Sequence, residues 1–226
     1  MKPPPFWHWP GWCHVGYALV LGGVVTLWFA LIYGGADFLT ARRSLRVRLH
    51  FDAELAMPFV PASVLIYLSI YFLFWLAPFI LRSRRELRSL AWTLAAVIFV
   101  AGIGFLLFPA ELEFPAPGDM GMWTGLVRFA KQVALTYNFA PSLHVALAVV
   151  CVAVYCRQCG AIGKLLLWLW AGAIGVSTLL LHQHYVMDVA TGFLLGLAAV
   201  KVSGTFSRDK GLMLPARCPR AKQRRS

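Results

Sequence analysis

Residues 179–192, LLLHQHYVMDVATG, place two histidines and one carboxylate in an otherwise apolar stretch. His184 and Asp188 are four residues apart, a spacing that puts them on one face of a helix. Asp188 is the only one of the nine acidic residues that falls inside an apolar run, where a carboxylate is costly and by default a functional candidate. A carboxylate that accepts from one ring nitrogen fixes the imidazole tautomer and leaves the other nitrogen with its lone pair. The pair therefore predicts an oriented, nucleophilic histidine.

A second polar group opens an earlier apolar run, NFAPSLHVALAVV, with Pro141, Ser142 and His144 close together. Proline is favoured at the first helical position, so the pattern predicts a helix N-terminus at this point. Unpaired N–H groups and the positive end of the helix dipole make such a terminus a natural anion site. Ser142 adds a hydroxyl to this site, and His144 adds a titratable donor.

Six apolar runs have the length of helical membrane spans, and they predict an all-α, polytopic bundle of six transmembrane helices. Span four crosses away from the membrane face where it starts, and span five crosses back to that face. The start of span four and the turn between spans five and six therefore lie on one membrane face. His144 and His184 are therefore expected at the same boundary of the bilayer. The runs cover residues 15–34, 58–81, 89–108, 141–156, 162–181 and 185–203.

Composition excludes a soluble domain. The 226 residues are 60% hydrophobic and only 13% charged, with a mean hydropathy of +0.70, whereas soluble domains carry about 25% charged residues. The net charge of +12 comes with no nucleic-acid recognition motif, and much of it lies in residues 204–226. We therefore predict a catalytic membrane domain over residues 1–203, a basic, disordered cytoplasmic tail over 204–226, contact with the lipid bilayer and no nucleic-acid partner. Nothing in the sequence indicates an oligomeric state.

The distribution of Lys and Arg predicts the orientation. Of the 21 basic residues, 15 lie in the N-terminus, the 82–88 turn, the 157–164 turn and the tail, and six lie in the opposite loops. The positive-inside rule then places both termini in the cytoplasm and the His/Asp cluster at the outer face.

Two of the outer loops are more than simple turns. Residues 45–52, LRVRLHFD, alternate between apolar and polar and suit a short strand or an interfacial segment. Residues 120–135 have helical periodicity and predict an amphipathic interfacial helix before the fourth span. Arg128 and Lys131 fall together on one face of that helix, three residues apart.

Other interpretations remain for these polar residues. An Asp–His pair can be a bundle hydrogen bond without a catalytic role. His144, His182, His184 and Asp188 also offer ligand types that suit a metal. A transporter or scaffold could use the cluster to relay protons or bind a ligand, although the six runs show no inverted repeat.

Two stretches resemble motifs of the type 2 phosphatidic acid phosphatase superfamily, the lipid phosphate phosphatases. Its P-S-G-H motif resembles residues 141–144 here, PSLH, and its S-R-x5-H-x3-D motif resembles Ser177-Thr178 followed by His184 and Asp188. The resemblance implies an integral-membrane hydrolase that forms a phosphohistidine on a lipid phosphate without a metal or other cofactor. It assigns His184 as nucleophile, Asp188 as its orienting partner and His144 as general acid, with Ser142 holding the phosphate.

The chain departs from the family pattern in two ways. Thr178 stands where the third motif has arginine, and no K-x6-R-P first motif is present. Since a phosphoryl group in transfer needs cationic or N–H donors, we expect Arg128 and Lys131 to replace the missing charges, with Thr178 at the phosphate.

The H-x-H-Y-x-x-D-V spacing of residues 182–189 also resembles the inositol-phosphorylceramide and sphingomyelin synthase branch, which transfers a phosphorylated head group to an alcohol. Hydrolysis and head-group transfer therefore both remain, as does an inactive relative. Phosphatidate, phosphatidylglycerol phosphate, a polyprenyl diphosphate and a lipid A phosphate all fit as substrates.

Overall fold

The computed structural model describes residues 9–116, 118 and 120–209, and this part of the chain is built from helices joined by loops. The described residues form eight α-helices. They are α1 (Trp12–Ala41), α2 (Val64–Leu68), α3 (Ile70–Ile80), α4 (Arg84–Leu107), α5 (Thr124–Ala134), α6 (Leu143–Tyr155), α7 (Ala161–Leu180) and α8 (Val186–Asp209). The predicted all-α class is therefore confirmed.

Five helices in the described residues are long and apolar enough to cross a membrane: Trp12–Ala41, Pro61–Ile80, Arg84–Leu107, Ala161–Leu180 and Val186–Gly204. The second of these joins a 3-10 turn to α2 and α3. The predicted fourth span corresponds to α6 and the 3-10 turn after it, Leu143–Gln158. That segment is only about 24 Å long, against a hydrocarbon core of about 30 Å, so the count of six crossings stays a prediction.

Helix α6 forms the centre of the bundle. Ten of its thirteen residues are buried, and it packs against α3, α4, α7 and α8. By contrast, α1 lies at the periphery, where only Tyr33, Ala36 and Thr40 are buried. The main apolar core therefore surrounds α6, and the orientation of its first turn is fixed by the packing of its neighbours.

Local sequence sets several helix ends. Ser83 and Glu86 form a capping box at the start of α4: the Ser83 hydroxyl accepts from the Glu86 N–H, and the Glu86 carboxylate accepts from the Ser83 N–H. Ser142 is the N-cap of α6, so this helix begins at Leu143 rather than at Pro141 as the proline suggested. Helix α8 continues to Asp209, past the predicted domain boundary at 203, and the tail from residue 210 lies outside the described residues.

The loops also correct one expectation. Residues 45–52 form no strand; they are an extended loop followed by a 3-10 turn at Asp52–Ala56. The loop has one backbone bond to the 109–116 segment, in which the Val47 N–H donates to Pro109 O at 2.7 Å. The helix predicted within 120–135 is present as α5, preceded by a 3-10 turn at Gly121–Trp123. Val127 and Ala130 are its buried residues, and its interfacial position stays a prediction.

Candidate active site

The polar residues of interest lie at one end of the bundle, which we call the loop face. Here α1, α4 and α7 end, and α6 and α8 begin. Direct bonds between loops and helices close this end: the Val60 N–H donates to Leu180 O at 2.9 Å, and the Asn138 side chain donates to Tyr33 O at 2.7 Å. The connectivity argument that brought His144 and His184 to one face is therefore confirmed.

The starts of α6 and α8 are in direct backbone contact. The Ser142 N–H donates to the backbone oxygen of Asp188 at 2.9 Å. This approach requires glycine, since a Cβ on Gly192 would overlap the backbone oxygen of Ser142, and a Cβ on Gly196 would lie 2.8 Å from Ala146 O. The spacing of the two glycines is the small-xxx-small pattern that lets membrane helices approach closely. It fixes the Ser142 segment against the segment that carries His184 and Asp188.

His184 and Asp188 lie together as their spacing predicted. His184 Nδ1 is 3.5 Å from Asp188 Oδ2, at the outer edge of hydrogen-bond range. Asp188 Oδ2 also accepts from the Tyr185 N–H at 2.9 Å. Asp188 is fully buried and His184 is 8% exposed. Among the described residues, His184 Nδ1 and Asp188 Oδ1 have no hydrogen-bond partner, so both atoms remain available to each other.

His144 is held by the second predicted span. Its Nε2 donates to the backbone oxygen of Tyr67 at 2.9 Å, and its ring stacks on the Tyr67 ring with centroids 4.0 Å apart. Because a carbonyl can only accept, Nε2 carries a proton. Nδ1 is then the nitrogen of His144 that can exchange a proton with a substrate.

Thr178 lies below the turn that carries His184. Its backbone oxygen accepts from the N–H groups of Gln183 and His184, at 2.9 and 3.3 Å. Its hydroxyl donates to Gly175 O at 2.7 Å, and the side chain is fully buried. In this arrangement Thr178 supports the turn, and its hydroxyl is already bonded within α7.

His182 turns away from His184. It has a positive φ of 53°, which an L-residue adopts uncommonly, although histidine does so more often than most. Its Nε2 donates to Met57 O at 3.0 Å, and its ring stacks on Phe114 with centroids 4.1 Å apart. Burial lowers the pKa of His182 below its usual value. The residue ties the turn to two loops, and the described part of the chain contains no group of three His, Cys, Asp or Glu side chains placed to hold a metal ion.

Arg128 and Lys131 lie on α5, at the loop face but apart from the His/Asp pair. Arg128 is exposed. Lys131 is partly buried, with its Nζ 5.8 Å from the centre of the Phe59 ring, and burial lowers its pKa. The positive charge of Lys131 also lowers the pKa of His182. Lys131 is therefore near the His182 side of the turn.

Glu54 is a site residue that sequence reasoning missed. Its side chain is buried, and Oε1 accepts from the Val186 N–H at 2.6 Å while Oε2 accepts from the Phe51 N–H at 2.7 Å. Glu54 therefore anchors the first turn of α8 from a loop 132 positions away in sequence. The available signal was an acidic residue in the short segment 52–56, but sequence alone cannot show which helix such a residue caps.

A cavity of about 590 Å³ opens from the loop face into the bundle, and both His144 and His184 line it. Its other polar lining residues are Thr26, Tyr33, Tyr67, Tyr71, Asn138 and Gln183. The remaining lining residues are apolar or glycine, and none is Asp, Glu, Lys or Arg. The site therefore joins a histidine pair to a long uncharged space within the bundle.

Comparison with known proteins finds one similarity, in the C-terminal half of the chain. Residues 114–211 match the family model described as the PAP2 superfamily. The matched segment contains Ser142, His144, Thr178, His184 and Asp188. This part of the chain is therefore similar to a superfamily whose general chemistry is phosphatase or phosphotransferase chemistry on lipid phosphates. No curated protein and no solved structure matches the chain.

Proposed function

We propose that this chain is an integral-membrane lipid phosphate phosphatase that works through a phosphohistidine on His184. One observation carries the proposal: His184 Nδ1 faces the buried Asp188 carboxylate at 3.5 Å, while His184 and His144 line one cavity. Nucleophile, orienting carboxylate and second histidine are thus present within one site, as such chemistry requires. The PAP2 match supports this class of chemistry.

In the proposed reaction, His184 keeps its Nδ1–H hydrogen-bonded to Asp188 and attacks phosphorus through Nε2, and His144 begins protonated on both ring nitrogens. The N–P bond forms as the P–O bond to the lipid breaks, and His144 gives the leaving alkoxide a proton from Nδ1. Water then attacks the phosphohistidine, His144 takes back a proton, and the N–P bond breaks to release inorganic phosphate. Asp188 stabilises the positive ring during both steps, and no cofactor is invoked.

The phosphate ligands follow from position. Ser142 is the buried N-cap of α6, and its hydroxyl oxygen accepts from the Val145 N–H. In this proposal its hydroxyl proton and the N–H groups at the start of α6 meet the phosphate oxygens. Arg128 and Lys131 supply positive charge from α5 in this proposal. Thr178 occupies the place of the third-motif arginine, although its hydroxyl is already bonded to Gly175 O, so the geometry supports it least.

Phosphate release from labelled lipids by the purified protein in detergent tests the mechanism. His184→Ala should lower the rate by at least about a thousandfold, as loss of a nucleophile does elsewhere. His14→Ala, which changes a histidine that contacts Leu81 O at the opposite end of the bundle, is the matched control and should retain most activity. Wild type should also carry an acid-labile, alkali-stable phosphate label that is absent from His184→Ala. Full activity in His184→Ala would refute the assigned nucleophile.

The cationic ligands have their own test. Arg128→Ala or Lys131→Ala should reduce kcat/KM by on the order of tenfold or more, as removal of a transition-state donor does. Lys164→Ala, at the opposite end of the bundle, controls for the general loss of a basic residue. Near-normal rates in both α5 variants would show that α5 does not supply the charge.

Head-group transfer is the second candidate, because no charged residue lines the cavity at the histidine pair. A phosphodiester carries one negative charge, whereas a phosphomonoester approaches two at neutral pH because its second pKa is about 6. A cavity that no lysine or arginine lines therefore suits a phosphodiester donor better than a phosphomonoester. In transfer, an alcohol replaces water in the second step, so the same assay would yield a new phospholipid with little free phosphate.

The proposed orientation places both termini in the cytoplasm and the loop face outside. A C-terminal fusion to a reporter that works only in the cytoplasm should therefore be active, and a fusion to a reporter that works only outside the cytoplasm should be inactive. Externally added, membrane-impermeant thiol reagent should label a cysteine introduced at exposed Met122. The opposite labelling pattern would reverse the proposed orientation and place catalysis inside.

A further inference from the structure

The cavity that begins at His144 and His184 extends through most of the bundle. Its lining residues on α1 run from Tyr33, near the loop face, to Val15, near the opposite end. At 1.5 Å per residue this is about 27 Å along the helix axis. Pro78, Phe79 and Leu87, all near the opposite end of the bundle, line the same cavity. Since one leaflet supplies about half of a 30 Å hydrocarbon core, the cavity passes the middle of the bilayer.

The cavity is also open on one side, between α1 and α3. Gly22 and Gly23 on α1 line it and are exposed, and so are Tyr71 and Trp75 on α3. A Cβ built on Gly22 or Gly23 meets no atom within 4 Å. The two glycines therefore leave a gap in the wall through which a chain from the bilayer can enter sideways.

The lining defines the occupant chemically. No Asp, Glu, Lys or Arg lines the cavity, and its polar residues other than Thr26 and Tyr71 lie toward the loop face. An uncharged, mostly apolar space of this size is typical of a site for a small hydrophobic ligand. Its one reactive end is the histidine pair.

We propose that this cavity holds the hydrocarbon tail of the lipid that reacts at His184, and that it selects tails longer than one leaflet. The inference rests on the proposed function and adds the substrate class to it: a lipid phosphate with a long, slender tail. The tail has apolar surroundings both in the bilayer and in the cavity, so the hydrophobic effect does not favour one tail over another. Selection among tails then depends on how well the tail length fills the cavity. A tail that is too short leaves the inner part of the cavity empty and loses those contacts.

The test uses straight-chain alkyl phosphates of increasing length. For wild type, kcat/KM should rise with tail length until the tail reaches the inner end. Gly22 lies about 16 Å along α1 from Tyr33, and Ala18 about 22 Å. Gly22→Leu should therefore cut kcat/KM at least tenfold for long tails and leave short tails unchanged. Ala18→Leu should shift the cut-off to longer tails, and Gly16→Leu, on the same helix but outside the lining, should match wild type.

Two results would overturn the inference without contradicting the proposed phosphatase activity. The first is a flat dependence on tail length. The second is a set of identical length profiles for Gly22→Leu, Ala18→Leu and Gly16→Leu. If Gly22→Leu fails to fold, the shifted cut-off in Ala18→Leu decides the matter.

A binding measurement separates the inference from catalysis. An alkyl phosphonate with a photoreactive group at the tail end cannot be hydrolysed, because it has a carbon–phosphorus bond. In His184→Ala it should crosslink to the inner half of α1 or to α4 near Leu87, and Gly22→Leu should reduce that labelling at least fivefold. Inner labelling, together with no phosphate release from alkyl phosphates by the wild-type protein, would uphold the cavity and reject the phosphatase. Labelling confined to the outer surface of the bundle would reject the cavity as the tail site.

Discussion

Glu54 offers a sharp test of how the catalytic turn is held. Its two carboxylate oxygens accept the N–H groups of Val186 and Phe51 at 2.6 and 2.7 Å, and the side chain is buried. Bonds to a charged acceptor contribute about 1.5–3 kcal/mol each. Glu54→Ala therefore removes on the order of 3 kcal/mol from the anchoring of α8, whose first turn continues directly from His184.

The loss can be converted to a rate. Since about 1.4 kcal/mol corresponds to a factor of ten, the correctly placed turn becomes up to about a hundredfold less populated relative to displaced forms. We expect kcat to fall by on the order of tenfold to a hundredfold. KM should change little, because Glu54 does not line the cavity. Glu54→Gln keeps one acceptor oxygen and should fall between wild type and Glu54→Ala.

The assay is phosphate release under conditions where each variant is folded, with thermal unfolding measured alongside. Asp52→Ala is the matched control, because Asp52 is exposed in the same 3-10 turn and pairs only with Arg48 at the surface. A positioning role predicts a kcat defect for Glu54→Ala that exceeds the defect of Asp52→Ala. Equal kcat values in the two alanine variants, or a change confined to KM, would refute the reasoning.

Two further predictions concern the frame around the site. Gly192→Ala places a Cβ against the backbone oxygen of Ser142, so it should destabilise the protein by about 1–3 kcal/mol and lower activity. In the control Gly172→Ala a Cβ meets no atom within 4 Å, so its melting temperature should be close to that of wild type. Equal melting temperatures for Gly192→Ala and Gly172→Ala would contradict the close approach of Gly192 to Ser142. The folded state lowers the pKa of His182 through burial, so the unfolded chain binds a proton first as pH falls. Stability should therefore decrease as pH drops from about 6.5 toward the lowered pKa, and His182→Gln should flatten this dependence in thermal melts measured from pH 7.5 to 5.

The sequence predicted the helices well for a physical reason. In lipid every backbone polar group must be satisfied within its own segment, so a long apolar run has few alternatives to a helix. The predicted spans accordingly differ from α1, α4, α7 and α8 mainly at their ends. The run at 141–156 is the instructive case: α6 is apolar because it is buried among other helices, and apolar character alone cannot distinguish a buried central helix from a full crossing.

The core of the site could also be predicted, because it depends on local spacing and connectivity. His184 and Asp188 lie on one turn, and the path of the chain brings His144 to the same end of the bundle. The partners from loops could not be predicted this way. Glu54 reaches α8 from the 3-10 turn at Asp52–Ala56, for which the sequence indicated no role. Tyr67 holds His144 through a backbone oxygen, and the residue type at position 67 does not indicate such a contact.

The two buried carboxylates at the start of α8 differ in a way that assigns their roles. Both meet backbone N–H groups at the positive end of the helix, which stabilises their charge at this depth. Both Glu54 oxygens accept backbone N–H groups, one from Val186 in α8 and one from Phe51 in the loop. Neither oxygen is therefore left to bind an imidazole. Asp188 uses only Oδ2, and its Oδ1 has no partner among the described residues while His184 Nδ1, also unpaired, lies 3.5 Å from Oδ2. Catalytic hydrogen bonds are often long in the absence of substrate and tighten during reaction. A carboxylate with an unpaired oxygen beside an unpaired imidazole nitrogen is suited to that change. We therefore propose that Asp188 acts on the histidine, whereas Glu54 anchors the helix.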